Sequence, residues 1–348
     1  MIIRTPNWIG DCIMTLPAIR ALKENSPQTE IVLLTKPHLR DIYQHIPEID
    51  KIITLPDKLT LKTLLKTASH IRNYGFTHGI LFTNSFHSAL LFKLAGIKET
   101  VGYVKDGRRF LLQTRLKFPN DVNYHDIYFY MDIVKAFLKN RTGVKPQINA
   151  NTYSTSPILT DSERAAMASI LSSQGVDTTQ PIVAIAPSAA YGTAKTWLPE
   201  RFGELIDRII TQFPVPPTVF LLGSGNEKEK ISRILSTMRQ KASSVFNLAG
   251  QFSLRQTMAV LSFCRLFVGN DSGLMHIATG LGIPSVVLFG PTPPNKSKPR
   301  GDISIVIIHP QSCAPCKHRD CPSDHACMKA ISVNEVYGAL ISLGNLHE

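Results

Sequence analysis

Five polar turns carry the residues of this chain best suited to chemistry, and each follows a short apolar run. The most informative is Val268-Gly269-Asn270-Asp271-Ser272-Gly273-Leu274-Met275-His276. Leu266-Phe267-Val268 before it reads as a buried strand, and Ile277-Ala278-Thr279-Gly280-Leu281 after it as a helix. Asn270, Asp271 or Ser272 can each cap that helix, because each offers a side-chain oxygen to the unpaired N–H groups of a first turn. A helix N-terminus carries spare donors and partial positive charge, so it suits a phosphate. A second strand, Ser285-Val286-Val287-Leu288-Phe289, ends in Gly290-Pro291-Thr292 and completes a βαβ unit. Open α/β sheets bind ligands at such strand ends. The same spacing also suits an ordinary capped helix.

The other turns span residues 7–11, 84–88, 188–197 and 223–227. If two domains face each other across their strand ends, all five line one cleft, with Ser188, Asn84 and Ser85 among its polar lining. Lys195 in Gly192-Thr193-Ala194-Lys195-Thr196-Trp197 can neutralise a departing diphosphate; singly, it also reads as a solvated surface lysine. Glu227 can accept from ribose hydroxyls or sit as a first-turn glutamate on the next helix. Asp11, one residue past a glycine, suits a general base and equally a helix-capping carboxylate. His276 fits a packed helix-face histidine better than a catalytic group.

These turns need a scaffold, and the hydrophobic pattern supplies it. Residues 1–155 alternate strands (2–4, 30–34, 51–55, 78–82, 100–103) with helices (13–23, 38–45, 59–74, 89–95, 125–138). Gly, Pro and small polar residues over 141–160 read as a linker. Residues 156–330 repeat the alternation, and a last helix covers 333–343 within a C-terminal segment, 331–348, expected to pack toward the first domain. This predicts an α/β protein of two doubly wound, Rossmann-like domains. The full dinucleotide fingerprint Gly-x-Gly-x-x-Gly and the phosphate loop ending in Gly-Lys-Ser/Thr are both absent, which argues against a nicotinamide oxidoreductase and a kinase.

The 348 residues hold 38 Lys and Arg against 26 Asp and Glu, a net charge of +12. The one cationic concentration is Lys105, Arg108, Arg109, Arg115 and Lys117. With no RNA-binding aromatic motif and no two-Cys, two-His finger, phosphates on a small molecule or membrane surface fit better than nucleic acid. No run of about 20 apolar residues exists to span a bilayer, and the start lacks a secretory leader, so a cytoplasmic location is expected. Cys12 and Cys264 read as buried small hydrophobes. Cys313, Cys316, Cys321 and Cys327 are clustered with His318 and His325, and suggest a tetrahedral structural zinc site, with reduced thiols the alternative.

Together, Pro6-Asn7-Trp8-Ile9-Gly10-Asp11, Thr83-Asn84-Ser85-Phe86-His87-Ser88-Ala89-Leu90, Gly192-Thr193-Ala194-Lys195-Thr196-Trp197, Asn247-Leu248-Ala249-Gly250, Asn270-Asp271-Ser272-Gly273-Leu274-Met275-His276 and Phe289-Gly290-Pro291-Thr292 resemble glycosyltransferase family nine, the bacterial lipopolysaccharide heptosyltransferases. The resemblance spans nearly the whole chain. It implies a GT-B fold with the acceptor in the N-terminal half and the ADP-sugar in the C-terminal half. It also implies inverting, metal-independent transfer of heptose from ADP-heptose to the lipopolysaccharide inner core, with no cofactor required. Asn84-Ser85-Phe86 and Asn270-Asp271-Ser272 favour heptosyl-Kdo2-lipid A as acceptor. The alternatives are a member using another acceptor, or a non-catalytic nucleotide-sugar binding protein.

In this family Asp11 matches the proposed general base and Lys195 a residue steadying the departing ADP. Glu227, Asp271, Ser272, Gly273, His276 and Ser188 fall on the donor side; Asn7, Asn84, Ser85, Arg108 and Arg109 fall on the acceptor side. The anchored acceptor implies peripheral contact with the cytoplasmic face of the inner membrane. The cysteine cluster is a departure, since the family's chemistry does not require it.

Overall fold

The computed structural model describes the chain except residues 122, 189–191, 317 and 346–348 and the side chain of Asn345. It forms two compact units, Met1–Ile158 and Leu159–Glu348.

In the first unit the strands are β1 Ile2–Arg4, β2 Val32–Thr35, β3 Lys51–Thr54, β4 His78–Leu81, β5 Glu99–Val104 and β6 Thr114–Lys117. The main helices are α1 Ile9–Asn25, α2 Leu61–Arg72, α3 Phe86–Leu94 and α4 Asp126–Thr142. All strand pairs are parallel, in the order β3-β2-β1-β4-β5-β6. The second unit holds β7 Ile182–Ala186, β8 Thr218–Leu221, β9 Val245–Asn247, β10 Leu266–Asn270, β11 Ser285–Phe289 and β12 Ser304–Ile308. Its helices are α5 Asp161–Ser173, α6 Pro199–Gln212, α7 Lys228–Thr237, α8 Leu254–Leu261, α9 Gly273–Gly280 and α10 Val333–Asn345. Its order is β9-β8-β7-β10-β11-β12, again parallel throughout.

Both sheets thus have the same Rossmann-type winding. In each, the order reverses beside the first strand, between β1 and β4 and between β7 and β10, and an open sheet holds its ligand at the carboxyl end of that reversal. Central strands are buried on both faces and therefore read as continuous apolar runs, such as Ile182-Val183-Ala184-Ile185-Ala186. Helices contribute apolar stripes: Phe202, Leu205, Ile206 and Ile209 of α6 recur at helical spacing and are fully buried. α10 buries Val336, Leu340 and Leu343 in the same core, against α6, β10 and β11.

β6 and β12 are missing from the sequence-based alternation. Both are sheet edges. In β6, half-buried Thr114 and Leu116 alternate with exposed Arg115 and Lys117, so a basic segment that reads as a loop is a charged edge strand. β12 is only partly buried for most of its length. α1 begins four residues earlier than the pattern predicts, after an extended Trp8, which places Asp11 in its first turn.

Helix α5 is capped by Thr160 rather than by Asp161 or Ser162, in a capping box with Glu163. Glu163 also takes a two-pronged ion pair from Arg255 of α8, Nε to Oε1 and Nη2 to Oε2, both at 2.6 Å. The Arg255 bonds hold the Glu163 carboxyl down at about 2. A carboxylate depressed in the folded state adds stability above its ordinary titration range and loses it as pH falls toward the folded value. Glu163→Gln is expected to lower the melting temperature at neutral pH by about 2–4 °C, for a partly solvated pair worth about 1 kcal/mol. The gap to wild type should close between about pH 4.5 and pH 2. A gap independent of pH in calorimetric scans would reject the ion pair as its source.

Candidate functional site

At the β1–β4 reversal, the chain leaves β1 through Thr5-Pro6-Asn7-Trp8 into α1. Asp11 is half-buried in the first turn, where the helix N-terminus favours its negative charge. Beneath it lie Cys12, fully buried with its thiol pushed up to about 12 by burial, and Tyr43, whose hydroxyl sits 3.0 Å from that of Thr15. Cys12 is therefore a packing residue, as its apolar surroundings in sequence suggested. From β4 the chain enters α3 through Thr83-Asn84-Ser85. Ser85 is the cap of α3: its Oγ accepts from the Ser88 N–H and lies 2.8 Å from the Ser88 hydroxyl.

The two arginines nominated for acceptor binding separate. Arg109 is exposed. Arg108 is 0% exposed and donates to the Tyr103 carbonyl at 2.9 Å, to the Thr83 carbonyl, and to Asn84 Oδ1 at 3.0 Å. Arg4 makes a similar arrangement from β1. It donates to the Thr5 carbonyl at 2.5 Å and to Asn7 Oδ1 at 2.6 Å. Sequence reasoning passed over Arg4, though a cation ending the apolar run Met1-Ile2-Ile3 was the available signal.

At the β7–β10 reversal, Asn270 joins the two strand ends. Buried completely, it donates from Nδ2 to the Pro187 carbonyl at 2.8 Å and accepts the Trp197 N–H at 3.1 Å. Its work is thus a loop tie, and the cap position of α9 falls to Ser272. Trp197, also fully buried, anchors the turn Thr193–Lys195 by donating from Nε1 to the Ile331 carbonyl. Lys195 Nζ then reaches Asp271 Oδ2 at 2.5 Å, and Thr292 donates to the same oxygen at 2.7 Å. Thr292, at the end of the Gly290-Pro291-Thr292 turn, is a member of this group that was given no role from sequence.

Hydroxyls at this reversal are left over. Ser188 Oγ and Ser272 Oγ are buried without a hydrogen-bond partner. Ser272 stands at the cap position of α9 and makes no side-chain capping bond. Buried hydroxyls are ordinarily paired; Ser272 at the α9 terminus and Ser188 after the neighbouring strand are exceptions, as is Thr196 beside Lys195. Residues 189–191, next to Ser188, lie outside the described residues. Gly273 opens α9. His276, one turn on, is 7% exposed, as a packed helix-face histidine would be.

Glu227 stands at the end of β8. Its Oε2 accepts from the Ser224 N–H at 2.7 Å and the Ser224 hydroxyl at 2.8 Å, a capping box. The helix-terminus alternative is therefore realised, and any ligand contact adds to it. Gly250 holds this turn closely: its φ is +67°, and a Cβ there would lie 2.6 Å from Gly225 Cα.

The zinc expectation is corrected. Among the described residues, no three His, Cys, Asp or Glu side chains are grouped to hold a metal ion. Cys327 is buried in the apolar core beside Met328, its thiol pushed up by burial, while Cys313 is exposed. The segment serves instead to brace the Thr193–Lys195 and Pro291 turns. Asp320 accepts from the Thr193 hydroxyl at 2.8 Å, the Arg319 carbonyl accepts the Ala194 N–H at 3.1 Å, and the Cys316 N–H donates to the Pro291 carbonyl at 2.9 Å. Gly192 is required there, since a Cβ would come within 2.1 Å of the Arg319 carbonyl oxygen.

Two Rossmann-like units of one winding give the chain the two-unit α/β architecture of the GT-B fold. The model of "Glycosyltransferase family 9 (heptosyltransferase)" matches residues 64–327, and the chain belongs to that family. It is 27% identical over 312 residues to lipopolysaccharide heptosyltransferase 2 of Salmonella typhimurium, covering 87% of this chain and 86% of the relative. Among solved structures, the E. coli ADP-heptose lps heptosyltransferase II shares the fold with a TM-score of 0.83 at 23% identity, over 99% of this chain and 98% of that one. E. coli heptosyltransferase WaaC with ADP superposes with a TM-score of 0.69 at 16% identity, over 98% and 99%.

Proposed function

We propose that this enzyme transfers heptose from ADP-heptose to the first heptose of the lipopolysaccharide inner core, heptosyl-Kdo2-lipid A, with inversion and without a metal ion. The observation that carries the reading is the Lys195–Asp271 pair beside the α9 terminus and its orphan Ser272 hydroxyl. Asp271 orients the Lys195 ammonium, which meets the diphosphate. Ser272, Ser188 and the first N–H groups of α9 receive phosphate oxygens. Asp271 and Glu227 face sugar hydroxyls of the donor. The first unit binds the acceptor through Asn7, Asn84 and Arg109.

In the reaction an acceptor hydroxyl oxygen attacks the heptose anomeric carbon. The bond from that carbon to the diphosphate oxygen breaks, ADP leaves with the electron pair, and Asp11 takes the hydroxyl proton. One displacement at one carbon inverts its configuration. The positive charges of Lys195 and the helix terminus meet the negative charge that develops on ADP, the task a metal ion performs elsewhere.

A peripheral contact with the inner membrane belongs to the same reading. No helix among the described residues is long and apolar enough to cross a membrane. The outer face of α2 exposes Leu61 and Leu65, one turn apart, at 74% and 50%. Lys58, Lys62 and Lys66 are exposed around them, and α2 contains no carboxylate. Such a face suits an anionic leaflet.

The test is ADP release from ADP-heptose with heptosyl-Kdo2-lipid A and with Kdo2-lipid A as separate acceptors, with and without EDTA. Turnover on the heptosylated acceptor alone, unchanged by EDTA, is expected. Turnover on Kdo2-lipid A alone would reassign the acceptor, and donor binding without turnover on either would favour a binding protein. Failure of the protein to partition in a salt-sensitive way onto phosphatidylglycerol-containing vesicles would remove the membrane contact.

A further inference from the structure

Arg4 and Arg108 are buried cations without a carboxylate ion pair among the described residues: they are 3% and 0% exposed. Burial lowers each to about 10, with Asp106 opposing the drop at Arg108, so both stay charged at neutral pH. Each directs donors to backbone carbonyls and one donor to an asparagine, Arg4 to Asn7 and Arg108 to Asn84. A guanidinium only donates, so each amide oxygen must face its arginine and each NH2 must face away. Neither asparagine has a further side-chain partner among the described residues. Asn7 is exposed and Asn84 partly so.

The two turns emerge side by side. Arg4 is in register with Leu81, and the Phe82 N–H donates to the Arg4 carbonyl at 3.1 Å. Gly102 keeps space for one of the guanidiniums, since a Cβ there would lie 3.1 Å from Arg108 Nη2. A buried charge is unfavourable unless something opposite compensates it. Here carbonyl dipoles do so only in part, and Arg4 Nε has no hydrogen-bond partner among the described residues.

We propose that Arg4 and Arg108 are positioning residues that hold the Asn7 and Asn84 NH2 groups outward, and that these amides, with two cations behind them, bind an anionic oxygen of the acceptor, a carboxylate or a phosphate. The proposal rests on reading the first unit as the acceptor half.

Asn84→Asp tests it. The new side chain still accepts from Arg108, so the melting temperature should equal or exceed wild type. It replaces the outward NH2 with an anionic oxygen. The acceptor KM should rise about 10- to 100-fold, the effect of losing a hydrogen bond to a charged group, with kcat and the donor KM within twofold of wild type. Asn84→Ala should fall between the two. If Asn84→Asp binds acceptor as well as or better than Asn84→Ala, the contact is a hydroxyl or none, and the proposal is overturned.

Repeating the series with carboxyl-reduced and with dephosphorylated acceptor identifies the anion by the arm in which the penalty disappears; a penalty surviving in both also overturns it. Arg108→Lys keeps the charge without the fork. It should raise the acceptor KM in wild type and have no further effect on an Asn84→Ala background. Wild-type turnover tests the functional reading separately. If it is absent, calorimetric binding of the deacylated acceptor saccharide to wild type and Asn84→Asp reads the same contrast.

Discussion

Replacing Asp11 with asparagine is expected to lower kcat by roughly 10²- to 10⁴-fold, the usual contribution of a positioned general base. Donor binding should stay unchanged, because the proposed reading places the donor on the other unit. Asparagine keeps the shape and a hydrogen-bonding oxygen, so the half-buried first turn keeps its packing. Stability should fall only by about 0.3–1 kcal/mol, the loss of one negative charge from the first turn of a helix. The two readings of Asp11 in the sequence, base and helix-terminus carboxylate, predict opposite balances. A capping role alone gives a lower melting temperature with kcat nearly intact; a base gives the reverse. Single-turnover rates at saturating donor and acceptor, beside a thermal melt, decide between them, and a kcat within threefold of wild type would remove Asp11 from the chemistry.

The scaffold of the site was legible because central parallel strands are apolar on both faces and end in polar turns. Every turn singled out for chemistry does follow a strand or sit at its end. Strand order was not legible, since nothing local tells β1 that its neighbours are β2 and β4. That order matters most, because it sets residues 5–8 beside 83–85 and residue 188 beside 271–272. Edges were the other blind spot. β6 alternates threonine and leucine with two cations, and in sequence that is indistinguishable from a basic loop.

At the site, burial and pairing give several residues a place that residue type alone does not indicate. Arg108 carries the charge expected of an acceptor contact but lies beneath the surface, behind Asn84. Asn270 was one of three equivalent cap candidates, and burial makes it a tie between two strand ends. Cys327 shares a spacing with three other thiols, yet its helical turn faces the core, and spacing along the chain says nothing about that direction. Burial and long-range pairing settled each case, and neither is encoded locally.

Lys195 and Asp271 form the pair whose disruption should separate stability from catalysis. Their side chains are 17% and 6% exposed, with Nζ and Oδ2 2.5 Å apart. Lys195→Ala leaves a nearly buried carboxylate held by the Thr292 hydroxyl and, at 3.5 Å, that of Ser297. Removing one partner of such a pair destabilises by a few kcal/mol, because the remaining charge stays desolvated. It should also cost about 10²- to 10³-fold in kcat, by analogy with the loss of one preorganised donor to a developing anion. Asp271→Asn alone should be milder in stability, since Lys195 can extend toward solvent.

The combination Lys195→Ala with Asp271→Asn is the informative one. It deletes the orphaned charge, so its melting temperature should recover toward that of Asp271→Asn, a coupling the double-mutant cycle measures directly. On the proposed reading its kcat should recover nothing, because the ammonium assigned to the departing diphosphate is still missing. Were the pair only a structural clasp, activity would follow stability back up, and Lys195 would lose its place in the reaction.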